Sequence, residues 1–313
     1  MNRNIKTNLA FTLIELLVVI AIIGILSALI VIGMSSTTQK ASVAKGQVFA
    51  NSLRNSLMSD MVSEWKLDGN TNDTWAASYA NNGTWSGPTA PNTVATYGPA
   101  AECVSGQCMD FDGVDDLVDF GNNASLSMGT KDHTVSLWIK FDNATAPQHE
   151  VLIISGGNIV APGYAGYDIL RYTGMSRLYV EFSDGSANNV GAYLSASGTL
   201  VSNIWYNIVV IFDRDGVAKA YINGLSQAGT LNISVQPGNV QNIYNLRLGA
   251  WTPSQFRLAG KMDEVRIFHA ITTLSQIQQN YYAGLNKLFA NRGVETSEYQ
   301  QRIVELNSNY AKN

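Results

Sequence analysis

Between Phe11 and Met34 the chain is apolar almost without interruption, FTLIELLVVIAIIGILSALIVIGM, and carries a single charge at Glu15. As a helix these residues span roughly 36 Å, enough to cross a hydrocarbon core of about 30 Å. An ionised carboxylate inside that core costs about 2.5–3.5 kcal/mol. Glu15 is therefore either a functional group or a carboxylate near the interface that snorkels or stays protonated. The following stretch, SSTTQKASVAKGQVFANSLRNSLMSDMV, places Val43, Val48, Phe49, Leu53 and Leu57 at helical steps, with Lys40, Lys45 and Arg54 on other faces. That spacing predicts an amphipathic stalk helix continuing from the apolar run, so that span and stalk together occupy residues 11–61.

From Trp65 onward the period changes. HTVSLWIKF alternates, placing Val135, Leu137, Ile139 and Phe141 on one face of a strand. RLYVEFS, NIWYNIVVIFD, VAKAYING, IYNLRLG and KMDEVRIF read as further strands. Arg214-Asp215-Gly216 joins two of them, and such a step predicts a hairpin with Gly216 at positive φ. Strands of this length separated by turn residues predict a sandwich, with Trp138 and Trp205 in its core. The helical period returns at the end of the chain. Thr273 and Gln276 form a capping box ahead of Leu274, Ile277, Tyr281, Leu285 and Leu288, and Gly293 stops the helix. A second helix carries Tyr299, Ile303, Leu306 and Tyr310, with Ser297 and Gln300 as its box. This apolar seam requires a partner helix, for which the first tail helix or the stalk is preferred over another subunit.

Composition narrows the class. The roughly 250 residues beyond the stalk suit one all-β domain. A net charge of −4 gives no basic footprint for nucleic acid, and 14 % charged residues amid many Gly, Asn, Ser and Thr suit a turn-rich surface protein. Cys103 and Cys108 lie beyond the apolar run, where oxidation is permitted, and two thiols alone make a poor metal site. A disulfide between them contributes about 2 kcal/mol on the chain-entropy model.

The N terminus resembles a known signal. MNRNIKTNLA is a short basic leader with Arg3 and Lys6, and it is followed at once by FTLIE. Together they resemble the class III signal of type IV pilins and of the pseudopilins of type II secretion. The resemblance implies cleavage between Ala10 and Phe11, N-methylation of Phe11, and a partner set of prepilin peptidase, other pilin or pseudopilin subunits and the inner membrane. It also assigns Glu15 to filament assembly, pairing with the N-terminal amine of a neighbouring subunit. Removing one partner of a buried charge pair costs about 3–5 kcal/mol, which would draw an unpaired Glu15 toward a filament that offers an amine. The chain departs from the pattern at Ala10, where the family nearly always has glycine.

A second resemblance covers roughly residues 62–285. WKLDGNTND, GQCMDFDGVDDLVDFG, HTVSLWIKF, WYNIVVIFDRDGVAKAYINGLSQ and FRLAGKMDEVRIFHAITTLSQIQQNY are similar to the laminin G-like, concanavalin A-like jelly-roll domains of bacterial surface proteins. Relatives of that kind mostly bind glycans or proteins, and some related folds are glycosidases or lyases. The implied order is a leader at 1–10, a transmembrane and stalk helix at 11–61, a jelly-roll domain at 62–272 and C-terminal helices at 273–313. In KMDEVRIF, Asp263 shares strand parity with Val265 and Ile267 and so points to the apolar side, where a carboxylate needs a partner. The resemblance implies calcium there, held by Asp263 together with Asp68 and the nearby Asn70, Asn72 and Asp73. The other reading is that Asp68 and Asp263 cap turns or meet Arg247 or Arg266.

Catalysis has little support along the strands. Glycoside hydrolysis needs two carboxyl groups facing one sugar, yet Glu181 in YVEFS has Tyr179 and Ser183 at its i±2 positions, and Asp115 and Asp119 are separated by a turn. His133, His149 and His269 show no metal spacing, and there is no G-x-S-x-G elbow. Binding is better supported: Trp85, Trp251, Tyr164 and Tyr167 stand in loop-like sequence, and Trp251 and Tyr167 are singled out as ligand contacts. The expected function is a minor pilin or pseudopilin presenting a recognition head for a glycan or protein. A type II secretion pseudopilin without a ligand remains open, as does a membrane-tethered hydrolase, which should reveal an acid pair on its concave sheet.

Overall fold

The computed structural model describes residues 60–75, 81–87, 94–142, 149–156, 164–186, 189–241, 244–252 and 255–310. Ala10, Phe11, Glu15, the apolar run and the stalk up to residue 59 lie outside the described residues. The strands in chain order are β1 (Met61–Trp65), β2 (Thr84–Ser86), β3 (Thr96–Gly98), β4 (Cys108–Asp112), β5 (Leu117–Asp119), β6 (His133–Phe141), β7 (Glu150–Ser155) and β8 (Ala165–Tyr172). They continue as β9 (Arg177–Asp184), β10 (Val190–Tyr193), β11 (Trp205–Phe212), β12 (Val217–Ile222), β13 (Leu225–Asn232), β14 (Leu246–Leu248) and β15 (Ala259–Phe268). Two helices close the chain, α1 (Leu274–Ala290) and α2 (Thr296–Tyr310). Met61 belongs to a strand rather than to the stalk helix.

All neighbouring strands pair antiparallel, in two sheets. One runs β13-β12-β11-β6-β15-β4-β3 with β1 added on β15; the other runs β10-β9-β8-β7-β14-β5-β2. Val135, Leu137, Ile139 and Phe141 of the first sheet meet Leu152, Ile169, Val180 and Phe182 of the second in the main core. The period-2 reading of β6 therefore holds. Trp138 and Trp205 are buried on the opposite face, in a second cluster with Tyr281, Leu285, Leu288 and Leu306 of the two helices. The first sheet thus buries a second apolar cluster on its outward face because α1 and α2 cover it there. Gly284 of α1 is what allows that approach: a Cβ there would sit 2.5 Å from the Trp138 ring. The capping box at Thr273 and Gln276 forms as expected. The partner of α2 is internal, with Tyr299 stacked on Phe289 of α1 at 4.3 Å between ring centres.

Two local expectations change. The β11–β12 hairpin forms, with the Gly216 amide donating to the Asp213 carbonyl at 3.0 Å. Gly216 does not take positive φ; it leaves room for the Asp213 carboxylate, which would lie 2.8 Å from an added Cβ. The positive φ values occur one turn later, at Asn223 (53°) and Gly224 (75°), where two residues join β12 to β13. The second change is in β15. Its register against β6 slips between Asp263 and Arg266, with Glu264 at a φ of 52°. This bulge breaks the parity that placed Asp263 with Val265 and Ile267. Asp263 instead stands opposite Trp138, on the helix-covered face, while Val265 and Ile267 enter the main core.

Candidate functional site

The outward face of the second sheet carries the site. On β8 the core takes Tyr167 and Ile169, so Asp168, Leu170 and Tyr172 point outward. On β9 the core takes Leu178, Val180 and Phe182, leaving Tyr179 and Glu181 outward. Antiparallel register then sets Asp168 directly opposite Glu181, and Leu170 opposite Tyr179. β10 continues both rows with Gly191 opposite Glu181 and Tyr193 opposite Tyr179. On the other side, Ile154 of β7 faces Asp168. These rows floor a groove of about 550 Å³ walled by His149, Tyr172, Tyr193, Trp251 and Phe256.

The walls are held by stacking. His149 lies on Tyr172 at 3.6 Å between ring centres, and Phe256 bridges His149 and Trp251 at 5.6 and 5.7 Å. The Trp251 loop is tied down by its backbone: Arg247 donates to the Trp251 carbonyl at 2.9 Å while its Nε reaches Asp119 at 2.9 Å. Arg177 lies over the Tyr193 ring at 4.2 Å. Such a stack of flat apolar faces above a polar floor suits a ring-shaped ligand with hydroxyl or amino groups at its edge.

The floor is acidic. Asp168 is 8 % exposed, and its Oδ1 has no hydrogen-bond partner among the described residues. Burial, and after it the facing Glu181, pushes the Asp168 carboxyl well above the usual range. Burial also raises Glu181, against the opposing effect of a hydrogen bond from the Tyr179 hydroxyl at 3.1 Å. Gly191 makes space for that bond, since a Cβ there would lie 2.4 Å from the Tyr179 hydroxyl. His149 is held below the ordinary histidine value by burial, which leaves the groove without a cation at neutral pH among its described lining groups.

Of the two aromatic contacts expected from sequence, Trp251 lines this groove and Tyr167 does not. Tyr167 is fully buried in the main core, 3.2 Å from His133 Nε2. The inward parity of β8 puts it there and turns its neighbour Asp168 outward. Trp85 packs against the main core and Tyr164 stacks on Tyr244. The Asp115 and Asp119 carboxylates do not form an acid pair for one ligand: Asp119 is bound to Arg247 and Asn245, which together with the Gly121 amide outweigh burial and lower its pKa.

Cys103 and Cys108 form the expected disulfide. Asp263 accepts the Val104 and Ser105 amides at 2.9 and 3.0 Å, and Asp68 accepts the Gln107 amide at 2.7 Å. Both carboxylates thereby cap the disulfide loop, the role that the sequence left open beside a metal. Arg266 does not meet them; it pairs with Glu64 and Glu264. Among the described residues a different acidic group has metal-like spacing: Asp112, Asp115 and Asp116 offer oxygens within 4.8 Å of one another in the FDGVDD turn. Oxygen donors of this kind could hold a hard cation.

Known proteins share both parts of the chain. The prokaryotic N-terminal methylation motif matches residues 5–31. It implies a prepilin anchored in the inner membrane, with its head outside the cytoplasm. Among curated proteins, Adhesion G-protein coupled receptor V1 of Danio rerio is 20 % identical over 146 residues, covering 47 % of this chain and 2 % of the receptor. Among solved structures, the ligand-binding domain of botulinum neurotoxin serotype D, in complex with N-acetylneuraminic acid, superposes with a TM-score of 0.57 at 14 % identity, over 74 % of this chain and 53 % of that one. The binding domain of Paraclostridial Mosquitocidal Protein 1 gives 0.54 at 15 %, over 72 % and 52 %. Domain 4 of AbnA, a GH43 extracellular arabinanase from Geobacillus stearothermophilus, in complex with arabinotriose, gives 0.52 at 18 %, over 71 % and 98 %. At these identities the likeness is one of fold, and this chain spans about half of each of the first two of these chains. The family match is of another kind, covering residues 112–278, more than half of the sequence: the chain belongs to the concanavalin A-like lectin/glucanases superfamily.

Proposed function

We propose that this chain is a minor pilin or pseudopilin whose sandwich domain is a surface recognition head, with a glycan seated in the groove over β7–β10. The observation that carries the reading is the combination of stacked aromatic walls with an acidic floor on an outward sheet face. Ring stacking supplies affinity from the apolar face of a sugar, and the carboxyl groups fix its orientation. The arabinotriose and N-acetylneuraminic acid bound to structural neighbours support a glycan over a protein. Membrane anchoring through residues 11–34 and assembly through Glu15 complete the reading.

The facing acids favour a second reading, a tethered hydrolase, because the pair that single-strand spacing lacks is supplied across two strands. Glycoside hydrolysis needs one carboxyl protonated and the other ionised, which requires environments that push their pKa values apart. Here burial raises both. That common shift does not separate the two groups into an acid and a nucleophile, and so supports a binding floor.

Calcium is proposed as a structural ion at the Asp112, Asp115 and Asp116 turn, with Asp68 and Asp263 acting as loop caps. The test of the main reading is a glycan array probed with the full chain in detergent, beside the same protein carrying Trp251→Ala. Signals lost in the variant support groove binding, and an array without signals leaves the pseudopilin without a ligand as the better reading.

A further inference from the structure

We propose that the groove selects glycans that carry an unsubstituted amino group, with the ammonium seated between Asp168 and Glu181. The inference rests on the glycan reading above and names the ligand chemistry of the same site. It starts from an imbalance in charge. Two acidic side chains face each other on adjacent strands, and the groove that covers them offers no cationic side chain among its described lining residues. Arg171, the nearest arginine along β8, is committed to Glu150 at 2.8 Å. Arg177 lies over Tyr193 outside the groove lining. A structural pair of acids would be expected to meet a partner of this kind, because a buried charge without one is costly. Asp168 instead lines the cavity, and its buried Oδ1 has no hydrogen-bond partner among the described residues.

The walls fit the same ligand. Tyr172, Tyr179, Tyr193 and Trp251 present aromatic surface around the acids. Aromatic faces attract a cation through their quadrupole, and most strongly when water is excluded. A neutral sugar can stack on these rings and donate hydroxyls to the carboxyl groups, but it leaves their charge uncompensated. An amino sugar meets both demands at once: its apolar ring face stacks, and its ammonium donates charge-assisted hydrogen bonds to the two carboxyl groups. N-acetylation removes the charge and adds bulk at the same position, so the two forms of one glycan separate the chemistry cleanly.

The experiment is isothermal titration of the full chain in detergent micelles with a glucosamine trimer and with its N-acetylated counterpart, at about 0.15 M and about 0.5 M salt. Surface attraction to a protein of net charge −4 is largely screened at the higher salt, whereas a buried pair is screened much less. The amino trimer is expected to bind about 10- to 100-fold more tightly than the acetylated one, the range for hydrogen bonds to a charged group. Asp168→Asn should abolish that preference at both salts while leaving the circular dichroism spectrum unchanged. Should Asp168→Asn fail to fold, Glu181→Gln carries the same expectation. Equal or tighter binding of the acetylated trimer, or a preference that survives either folded variant, overturns the proposal. If neither trimer binds while neutral glycans score on the array, the amino-group selection falls and the glycan reading stands; if nothing binds in either assay, both fall.

Discussion

Asp168 of β8 stands opposite Glu181 of β9 on the outward face of the seven-stranded sheet, and Glu181 adds to the cost of burying the Asp168 carboxylate. The relationship has a thermodynamic sign. A carboxyl whose folded pKa lies above its unfolded value disfavours the folded state at neutral pH, and that penalty disappears as pH falls toward the unfolded value of about 4. Asp168→Asn should therefore stabilise the domain at pH 7 by about 1–3 kcal/mol, the scale of a buried unmet polar group. The gain should shrink to nothing near pH 4. Thermal melts of both proteins across that range check it, and a variant less stable at pH 7 would mean that the acids have a partner.

Glu264 has the opposite sign. Burial alone would raise its carboxyl, but Arg266 and Lys287 outweigh burial and hold it at about 2. Its stabilisation is complete above the unfolded value of about 4.5 and is lost as pH falls toward 2. Together with Asp168 and Glu181, this predicts a stability maximum between about pH 4 and 6 rather than at neutrality. Glu264→Gln should flatten the acid limb, with a cost at pH 7 on the order of 3 kcal/mol. Chemical denaturation at several pH values measures both limbs.

Reducing the Cys103–Cys108 bond should cost about 2 kcal/mol. Asp263→Ala should cost about 1–3 kcal/mol as well, because it leaves the Val104 and Ser105 amides without their acceptor. The two losses should be less than additive, since bond and carboxylate order the same loop. A double-mutant cycle on melting temperature tests this.

Calcium at Asp112, Asp115 and Asp116 would bind the folded state alone, so chelator should lower the melting temperature of the full chain and excess Ca²⁺ should restore it. At a hundredfold excess over Kd the linkage amounts to about 2.7 kcal/mol. Asp115→Asn should remove the response, while Asp68→Asn should not. A response that follows Asp68 would return the ion to the disulfide loop.

The mature chain should begin at Phe11 with a methylated amine, which intact mass spectrometry of the native protein reads directly. Glu15→Ala should still insert into the membrane but fail to enter filaments. A mature product beginning after Met34, or normal filament incorporation of that variant, would contradict pilin assembly.

Much of the head was legible in the sequence, and the exceptions have physical causes. Alternation in HTVSLWIKF found the core face of β6, and the Thr273–Gln276 box found the start of α1, because each signal lies within one element. The acid pair was hidden because Asp168 and Glu181 are joined by strand register, which is set by a turn. Tyr172 and Arg177 close the Thr173–Ser176 loop, and both acids stand four residues from that closing pair. Reading RYTGMSRLY as a four-residue turn would have brought them together. Asp263 was misplaced for a related reason: a bulge at Glu264 adds one residue, and every parity count beyond it shifts to the other face.

The most direct test of the recognition head is glycan binding by the full chain with and without Trp251. Trp251 stacks on Phe256 at the groove wall, away from the main core, so its removal should leave the fold intact. On an array and in titration, Trp251→Ala should lower glycan affinity at least about tenfold, since truncating an aromatic anchor in a binding site costs about 2 kcal/mol or more. Melting should change little. Unaltered glycan binding by a folded Trp251→Ala protein would place recognition elsewhere on the head and contradict the groove.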